Sequence, residues 1–227
     1  MKVLGIETST SSGSVAVVED EKVLGQFFLN ITPAHSEKLL TMVDCLLKEV
    51  GVEKNEIEGI AVSTGPGSFT GLRVGISTAK GLAFTLGIPV VSVSSLEVLA
   101  RNVLFNALNI CAMIDARKKE VYAAFFKYSD SDLKRISDDL LISPENICEK
   151  ISEKTIFIGN GALLYKDYFV NLFGDLALFC PFDINFPKAS NCAVMAVSKL
   201  KNGFEDDLSA LAPRYLRKAE AEIYREG

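Results

Sequence analysis

Tryptophan is absent from this sequence, and His35 is its single histidine. His35 has no second histidine with which to form the i, i+4 pair of a helical metal site, and no cysteine lies near it in the sequence. Neither a metal site nor Cys/His catalysis is therefore indicated. The five cysteines are widely spaced and include no Cys-x-x-Cys pair. They predict free thiols in a reducing compartment rather than a disulfide framework or a zinc site.

The sequence also has no excess of positive charge and no long apolar run. Its formal net charge is -5, whereas a protein that binds nucleic acid on its own normally carries a basic face. No apolar run approaches the roughly 20 residues that span a bilayer, and Met1 leads into a strand rather than a basic and then apolar leader. We therefore expect a cytoplasmic protein without a membrane association. Its 48% hydrophobic content suffices for the buried core of one large or two small domains.

The most informative stretch begins with Gly65-Pro66-Gly67-Ser68, directly after an apolar run. Gly-Pro-Gly forbids a regular element, so a strand ends and a helix begins there. The free N–H groups of that helix start could hold an anion. Alternatively, Ser68 or Thr70 caps the helix and the glycines only make the turn. The Gly-Lys-Ser/Thr of a P-loop and the third glycine of a dinucleotide-binding fingerprint are both missing.

The helix predicted from about Thr70 to Leu86 has two faces that lack charge. The core face is made of Leu72, Ile76, Ala79, Leu82, Ala83 and Leu86. The second face, where a surface helix would carry charges, holds Val74, Ser77, Gly81 and Phe84. A glycine in a helix interior costs about 1 kcal/mol, so Gly71, Gly75 and Gly81 indicate that another backbone comes close. That backbone belongs either to a partner or to the same chain.

A second helix is predicted from Thr32, a suitable N-cap, through Pro33 to Val50. Its apolar positions cover an arc wider than the roughly 100° stripe that one packing surface needs. They are Leu39, Leu40, Met42, Val43, Leu46, Leu47 and Val50. This helix too is expected to pack on two sides.

Two polar constellations are candidate ligand contacts. Residues 7–13 combine one carboxylate, five hydroxyls and a glycine, which suits a phosphate or a metal-bound water and equally a plain hairpin turn. Asp115-Ala116-Arg117 ends a predicted strand, where polar residues of an α/β sheet commonly face a ligand crevice. Arg117 either serves an anionic ligand or forms a local ion pair with Asp115.

The order of predicted elements is a three-strand meander, a helix, a strand, a helix, and then strands again. This succession fits two similar α/β lobes that face each other. No low-complexity linker separates the halves, so their boundary is a hinge rather than a tether. We predict a first lobe of residues 1–105, which carries the partner-binding helices, and a second lobe of residues 106–227. A helix from about residue 190 can return to the first lobe.

With these motifs in place, the sequence resembles the TsaB family, also called YeaZ. The matching segments run nearly from end to end, and the most specific is the string from Gly65 to Arg73, Gly-Pro-Gly-Ser-Phe-Thr-Gly-Leu-Arg. The string continues through Val74 and Gly75, and the other segments are 6–9, 15–17, 35–36, 79–83, 87–89, 94–96, 115–117, 120–122, 159–161 and 213–217.

The resemblance implies a two-lobed actin-like, Hsp70-like fold (ASKHA, ribonuclease H-like) and a subunit without catalytic residues or a metal of its own. Family members partner TsaD, the catalytic subunit in making threonylcarbamoyladenosine (t6A) in transfer RNA. With the ATPase TsaE, the complex transfers a threonylcarbamoyl group from its adenylate onto the adenosine beside the anticodon. The resemblance further implies transfer RNA contact only through the complex, a homodimer when TsaD is missing, and no cofactor beyond weak nucleotide binding at the interface with partners.

Two sets of site residues follow from this resemblance. The expected partner surface is His35, Leu39, Met42, Val43, Leu46, Gly71, Val74, Gly75, Ser77, Thr78, Gly81 and Phe84. The candidate nucleotide or anion contacts are Glu7, Thr8, Ser9, Asp115 and Arg117. Nucleotide-binding relatives of the fold use aspartate where this sequence has Glu7, and glycines in the turn that follows, so competent ATP binding is not expected.

Two other functions stay open at this stage. One is an enzyme of the same superfamily, either a weak ATPase that uses the 7–13 turn and Asp115, or a peptidase-like protein. The other is direct transfer RNA binding through Arg73, Lys80 and Arg214, against which the acidic charge balance argues. The tail from Lys218 to Gly227 matches no part of the family pattern.

Overall fold

The structure of the chain is a computed structural model that describes residues 1–30, 35–104, 106–130 and 132–217, without the side chains of residues 35–37. The predicted N-cap Thr32, its neighbour Pro33 and the tail 218–227 lie outside the described residues.

A first sheet is built from the first half of the chain. Its strands are β1 (Lys2–Glu7), β2 (Gly13–Glu19), β3 (Lys22–Leu29), β4 (Gly59–Gly65) and β5 (Val90–Ser94), and its helices are α1 (His35–Val50) and α2 (Phe69–Leu86). The strand order is β3-β2-β1-β4-β5, with β1 antiparallel to β2 and parallel to β4. The central strands β1, β2 and β4 are apolar runs buried on both faces, as expected of strands covered by helices on both sides.

A second sheet follows, together with the remaining helices. In chain order the elements are α3 (Ser95–Ala100), β6 (Asn109–Asp115), β7 (Val121–Ser129), β8 (Asp132–Arg135), β9 (Leu140–Ile142), α4 (Pro144–Cys148), β10 (Thr155–Ile158), α5 (Asn160–Leu164), α6 (Lys166–Phe173), β11 (Ala177–Phe179) and α7 (Ala189–Lys201). The strand order is β11-β10-β6-β7-β8, and β9 pairs with β7.

The two sheets share one topology. In each, three antiparallel strands form a meander, and two further strands add in parallel beside the first strand of that meander. Read from the opposite edge, β8-β7-β6-β10-β11 repeats the pattern β3-β2-β1-β4-β5. This is the two-lobed α/β arrangement that the sequence predicts.

Each lobe contributes a helix to the other. Helices α1 and α2 cover one face of the first sheet, and α7, which follows the last strand of the second sheet, covers the opposite face. The approach of α7 is close because Gly5 of β1 has no side chain: a Cβ there would lie 2.2 Å from the Ala189 carbonyl oxygen. Helix α3 follows β5 but packs on β6 and β7, where Leu96 and Leu99 join the second core.

The structure differs from the predicted elements chiefly in the second lobe. Residues 160–173 form two helices, α5 and α6, because Tyr165 (φ -108°, ψ 17°) between them leaves the helical conformation. The charged stretch 129–139 contains strand β8, and the three-residue strands β9 and β11 were not predicted. Helix α3 ends at Ala100, and the chain continues as one 3-10 turn, Arg101–Val103.

Candidate functional site

A groove of about 870 Å³ lies between α1 and α2 on the surface of the first lobe. It is lined by Leu4, Leu40, Thr41, Val43, Asp44, Leu47, Lys54, Ile57, Ser77, Thr78, Gly81, Leu82, Thr85 and Leu86. Leu40 is 58% exposed at this groove. The groove therefore offers apolar side chains to water where the sequence predicts a partner surface.

Most of the apolar arc of α1 faces inward, which corrects the expected partner surface. Leu39, Met42, Val43 and Leu46 are all buried in the core of the first lobe. The wide arc is needed because α1 packs on the sheet and against α2 as well, so it has two neighbours within its own chain. Of the four, only Val43 lines the groove. His35 begins α1, and its side chain lies outside the described residues.

The expected role of two α2 glycines as partner contacts also needs a correction. A Cβ at Gly71 would lie 2.1 Å from the Thr8 carbonyl oxygen, and one at Gly75 would lie 2.3 Å from Thr8 Oγ1. The group that comes close therefore belongs to the same chain at both positions: it is the Thr8 backbone at Gly71 and the Thr8 side chain at Gly75. Both glycines are buried within the lobe. A Cβ at Gly81 would meet nothing within 4 Å.

The rest of the predicted face of α2 is accessible. Ser77, Gly81 and Phe84 are exposed and Val74 and Thr78 are half-buried, with Phe84 at 81% exposure. Three of these residues, Ser77, Thr78 and Gly81, line the groove. Their role in partner binding stays a prediction.

The rim of the groove carries one cluster of charge. The Asp44 carboxylate lies 2.7 Å from Lys48 Nζ and 3.5 Å from Lys54 Nζ. The hydrogen bond from Lys48 lowers the pKa of the Asp44 carboxyl group. Sequence reasoning did not select Asp44 and Lys54. Asp44 lines the groove from α1, and Lys54 lines it from the 3-10 turn that follows this helix.

A second cavity, of about 630 Å³, lies between the two lobes. Most of the residues that line it have polar side chains. They are Ser9, Thr10, Ser11, Gly67, Ser68, Phe69, Thr70, Ile114, Asp115, Ala116, Arg117, Lys118, Tyr122, Asn160, Tyr215 and Arg217. The ends of β1, β4 and β6 meet at this inter-lobe cleft. The topology therefore brings together the three polar segments identified in the sequence, which are the 7–13 turn, the turn that begins at Gly65 and residues 115–117.

Helix α2 begins at the cleft with the predicted cap. The Ser68 hydroxyl accepts a hydrogen bond from the Gly71 N–H at 3.2 Å, which confirms Ser68 as N-cap. The Ser68 N–H in turn donates to the Ser9 carbonyl oxygen at 2.6 Å. A Cβ at Gly67 would lie 2.2 Å from that same oxygen, so this position requires glycine.

Glu7 and Thr8 hold the first turn in place and do not line the cleft, which corrects their expected role as ligand contacts. The Thr8 hydroxyl donates to the Gly71 carbonyl oxygen at 2.7 Å. The buried Glu7 carboxylate accepts from the Ser9 N–H at 2.6 Å, and Cys192 Sγ of α7 lies 3.9 Å away. Burial raises the pKa of Glu7. Of the three predicted contacts in this turn, only Ser9 reaches the cleft.

The second lobe contributes the hairpin between β6 and β7. Asp115 Oδ1 accepts from the Arg117 N–H at 2.8 Å, and Arg117 Nη1 lies 3.3 Å from Asp115 Oδ2, so the local ion pair is formed. Arg117, Lys118 and Lys119 all have positive φ and are exposed at the hairpin tip. Asn160, which was not selected as a site residue, fixes the strand end by accepting from the Asp115 N–H at 3.1 Å.

The basic residues proposed for direct transfer RNA binding are largely engaged within the chain. Arg73 Nε donates to Tyr215 Oη at 2.9 Å, and Lys80 Nζ donates to the Ser209 and Leu211 carbonyl oxygens at 3.3 Å. Arg214 is exposed. Two of the three cations therefore hold the C-terminal segment.

Within the described part of the chain, no group of three or more His, Cys, Asp or Glu side chains is arranged to hold a metal ion. A search of the same residues finds no helix that is both long and apolar enough to cross a membrane.

Known proteins are similar to this chain in both sequence and fold. A family model described as "TsaD: tRNA N6-adenosine threonylcarbamoyltransferase" matches residues 22–225. The tRNA threonylcarbamoyladenosine biosynthesis protein TsaB of Bacillus subtilis is 31% identical over 98% of this chain and 96% of its own length. TsaB of Escherichia coli is 32% identical over 74% of each chain. The solved structure of YeaZ from Pseudomonas aeruginosa, 28% identical, aligns with a TM-score of 0.79 over 95% of this chain and 99% of that one. The predicted two-lobed actin-like fold is confirmed.

Proposed function

The chain belongs to the TsaB (YeaZ) family, and on that premise we propose that it is a non-catalytic subunit in the biosynthesis of t6A in transfer RNA. In this role it binds and activates a TsaD-type catalytic subunit, which works together with a TsaE-type ATPase. Transfer RNA is bound by the assembled complex rather than by this acidic chain alone.

The observation that carries the proposal is the groove between α1 and α2. Its apolar members lie beside the exposed small residues Ser77 and Gly81 of α2. Small residues let a second helix approach closely, and buried apolar surface is the main source of affinity in such a contact. The single histidine of the sequence cannot form a metal-binding histidine pair, which supports a subunit without a metal site of its own.

A charge placed in the groove tests this interface. Leu40→Asp should weaken binding to the cognate TsaD-type subunit at least about tenfold, because a carboxylate would be buried against apolar surface without a partner. Binding is measured by isothermal titration calorimetry. The matched control is Leu172→Asp on α6, a leucine of similar exposure, 53% against 58%, in the second lobe. Equal affinity of wild type and Leu40→Asp would place the interface elsewhere.

The same groove is the proposed contact between two copies of the chain when the TsaD-type subunit is absent. Adding that subunit should therefore convert homodimers into heterodimers, because both contacts use one surface. Light scattering during size-exclusion chromatography distinguishes this exchange from addition of the subunit to an intact homodimer.

The inter-lobe cleft favours one second candidate, a weak ATPase, since Asp115 and the start of α2 line the same cavity. In that case the purified chain alone would hydrolyse ATP, and Asp115→Asn would abolish the activity. Absence of hydrolysis by wild-type protein removes this candidate. Peptide hydrolysis by the chain alone is the corresponding test of the peptidase-like alternative.

A further inference from the structure

The last described segment of the chain, residues 204–217, runs along the first lobe to the mouth of the cleft; we name it the C-terminal strap. Near its start, the Asp206 N–H donates to the Val90 carbonyl oxygen at 2.9 Å, and the Asp206 carboxylate accepts from the Ser92 N–H at 2.6 Å. Leu208 and Leu211 pack into the core of the first lobe. The first part of the strap is thus fixed to β5 and to the helix layer.

The middle of the strap is attached to the elements that form the cleft. The Arg214 N–H donates to the Thr64 carbonyl oxygen at 2.7 Å. The Tyr215 ring stacks on Phe69 with 4.2 Å between ring centroids, and Arg73 lies 3.9 Å from the Phe69 centroid while it bonds to Tyr215 Oη. These contacts fasten the strap to the start of α2.

The end of the strap crosses to the other lobe. Arg217 Nη1 donates to the Ala116 carbonyl oxygen at 2.7 Å, and the Arg217 guanidinium forms an ion pair with Glu120. Both partners belong to the hairpin between β6 and β7 that forms the second-lobe wall of the cleft. A charge-assisted pair of this kind is among the stronger hydrogen bonds in proteins.

The lobes are also joined through the side-chain amides of Asn102 and Asn191. Asn102 Nδ2 donates to the Ile184 and Phe186 carbonyl oxygens at 2.8 and 2.9 Å. Asn191 Nδ2 donates to the Val98 carbonyl oxygen at 3.0 Å and to Asn102 Oδ1 at 2.8 Å. The chain segments that pass between the lobes are therefore bonded to each other through amide side chains.

We propose that the C-terminal strap fixes the angle between the two lobes, because Tyr215 attaches it to the first lobe and Arg217 attaches it to the second. We call this connection between the lobes the latch. The chain segments that pass between the lobes, and α3, which packs on both sheets, already join the lobes. The strap adds an attachment across the mouth of the cleft. The latch keeps the lobes a single rigid body and limits access to the cleft. When the bonds of Arg217 to Ala116 and Glu120 are broken, the cleft can open.

Residual dipolar couplings of backbone amides measure the relative orientation of the lobes. In wild-type protein the couplings of both lobes should fit one alignment tensor. In Arg217→Ala each lobe should keep its own internal fit, but the two tensors should differ, because the lobes then move relative to each other on the microsecond to millisecond timescale typical of hinge motions. Tyr215→Ala removes the anchor at the other end of the strap and should have the same effect.

The matched control is Arg214→Ala, which removes an exposed arginine of the same strap and leaves both attachments in place. It should retain the single tensor. Hydrogen exchange at the amide of residue 214 gives a second readout: it should be about tenfold faster in Tyr215→Ala, which corresponds to the loss of a hydrogen bond of ordinary strength. A single shared tensor in both Arg217→Ala and Tyr215→Ala, or two tensors already in wild type, would contradict the proposal that the strap fixes the angle between the lobes.

Discussion

Glu7 ends β1 with its carboxyl group enclosed by the first lobe, at 1% exposure. The groups around it are the N–H and hydroxyl of Ser9, the Ser63 hydroxyl and the thiol of Cys192. No cation pairs with it among the described residues. Burial therefore dominates and raises the pKa of Glu7 above its ordinary value of 4.5. A carboxyl group in such a place acts as a structural link between β1, the first turn and α7.

The raised pKa makes stability depend on pH. The native state holds the Glu7 proton more tightly than the unfolded state, so the stabilising effect of that proton is full below the unfolded pKa and is lost as pH rises toward the folded pKa. Glu7→Gln cannot ionise and keeps a similar shape. We expect the free energy of unfolding of Glu7→Gln, relative to wild type, to increase with pH from pH 4.5 upward.

Urea denaturation of both proteins at several pH values measures this difference. Glu58→Gln, which changes an exposed glutamate, is the control for the loss of one acidic group. A difference between Glu7→Gln and wild type that stays constant with pH would contradict the raised pKa of Glu7.

At the scale of the element, α2 serves both cavities. Its N-terminal turn lines the cleft, and its C-terminal half lines the groove. The glycines of α2 are divided in the same way. Gly71 and Gly75 contact Thr8, whereas Gly81 faces open space at the groove.

This division predicts opposite effects of the same substitution. Gly71→Ala should destabilise the protein by about 1–3 kcal/mol, because the new methyl group would collide with the Thr8 carbonyl oxygen. Gly81→Ala should instead stabilise it by about 0.5–1 kcal/mol, since alanine is the better helix former and nothing obstructs it. Thermal unfolding of the two variants measures both effects, and equal shifts of the midpoint would contradict the assigned contacts.

The sequence predicted α2 well because two strong local signals agree. Gly-Pro-Gly-Ser marks its start, and its apolar spacing defines the core face, where Leu72, Ile76, Ala79 and Ala83 are buried. The second face was harder to interpret, because a small residue signals close approach without identifying the approaching chain. Thr8 is 63 residues away from Gly71 in the sequence, so only the fold could show that contact.

The expected partner surface on α1 included residues that are buried, because the sequence does not show which elements of the same chain pack against that helix. A helix that packs on a sheet and beside another helix needs more than one apolar stripe. Leu39 and Leu46 belong to these stripes and are buried in the core of the first lobe. The strands missed in the second lobe have little local signal: β9 and β11 are three residues long, and β8 has three charged residues among its four. These segments are strands because they form backbone hydrogen bonds with β7 and β10.

At the scale of the whole molecule, the exchange of helices makes the lobes interdependent. Without α7, the first sheet would expose the face on which Val3, Ala61 and Val91 now pack against that helix. The boundary predicted at residue 105 is a division of the chain, but the packing crosses it in both directions through α3 and α7.

A fragment of residues 1–105 should therefore fail to fold alone, because one face of its sheet is left uncovered. Circular dichroism should show no cooperative unfolding transition for this fragment. Coexpression with residues 106–227, which supply α7, should restore the transition. A stable, cooperatively folding 1–105 fragment would contradict the role given to α7.

Activation of a TsaD-type subunit through the α1–α2 groove is the role proposed for this chain. Its most direct test is the formation of t6A on unmodified transfer RNA by purified TsaD-type and TsaE-type subunits supplied with threonylcarbamoyl adenylate, without this chain, with wild-type chain, or with Leu40→Asp or Leu172→Asp. We predict that wild type and Leu172→Asp restore modification, whereas Leu40→Asp reduces it at least about tenfold. Full modification in the absence of the chain, or with Leu40→Asp, would contradict the claim.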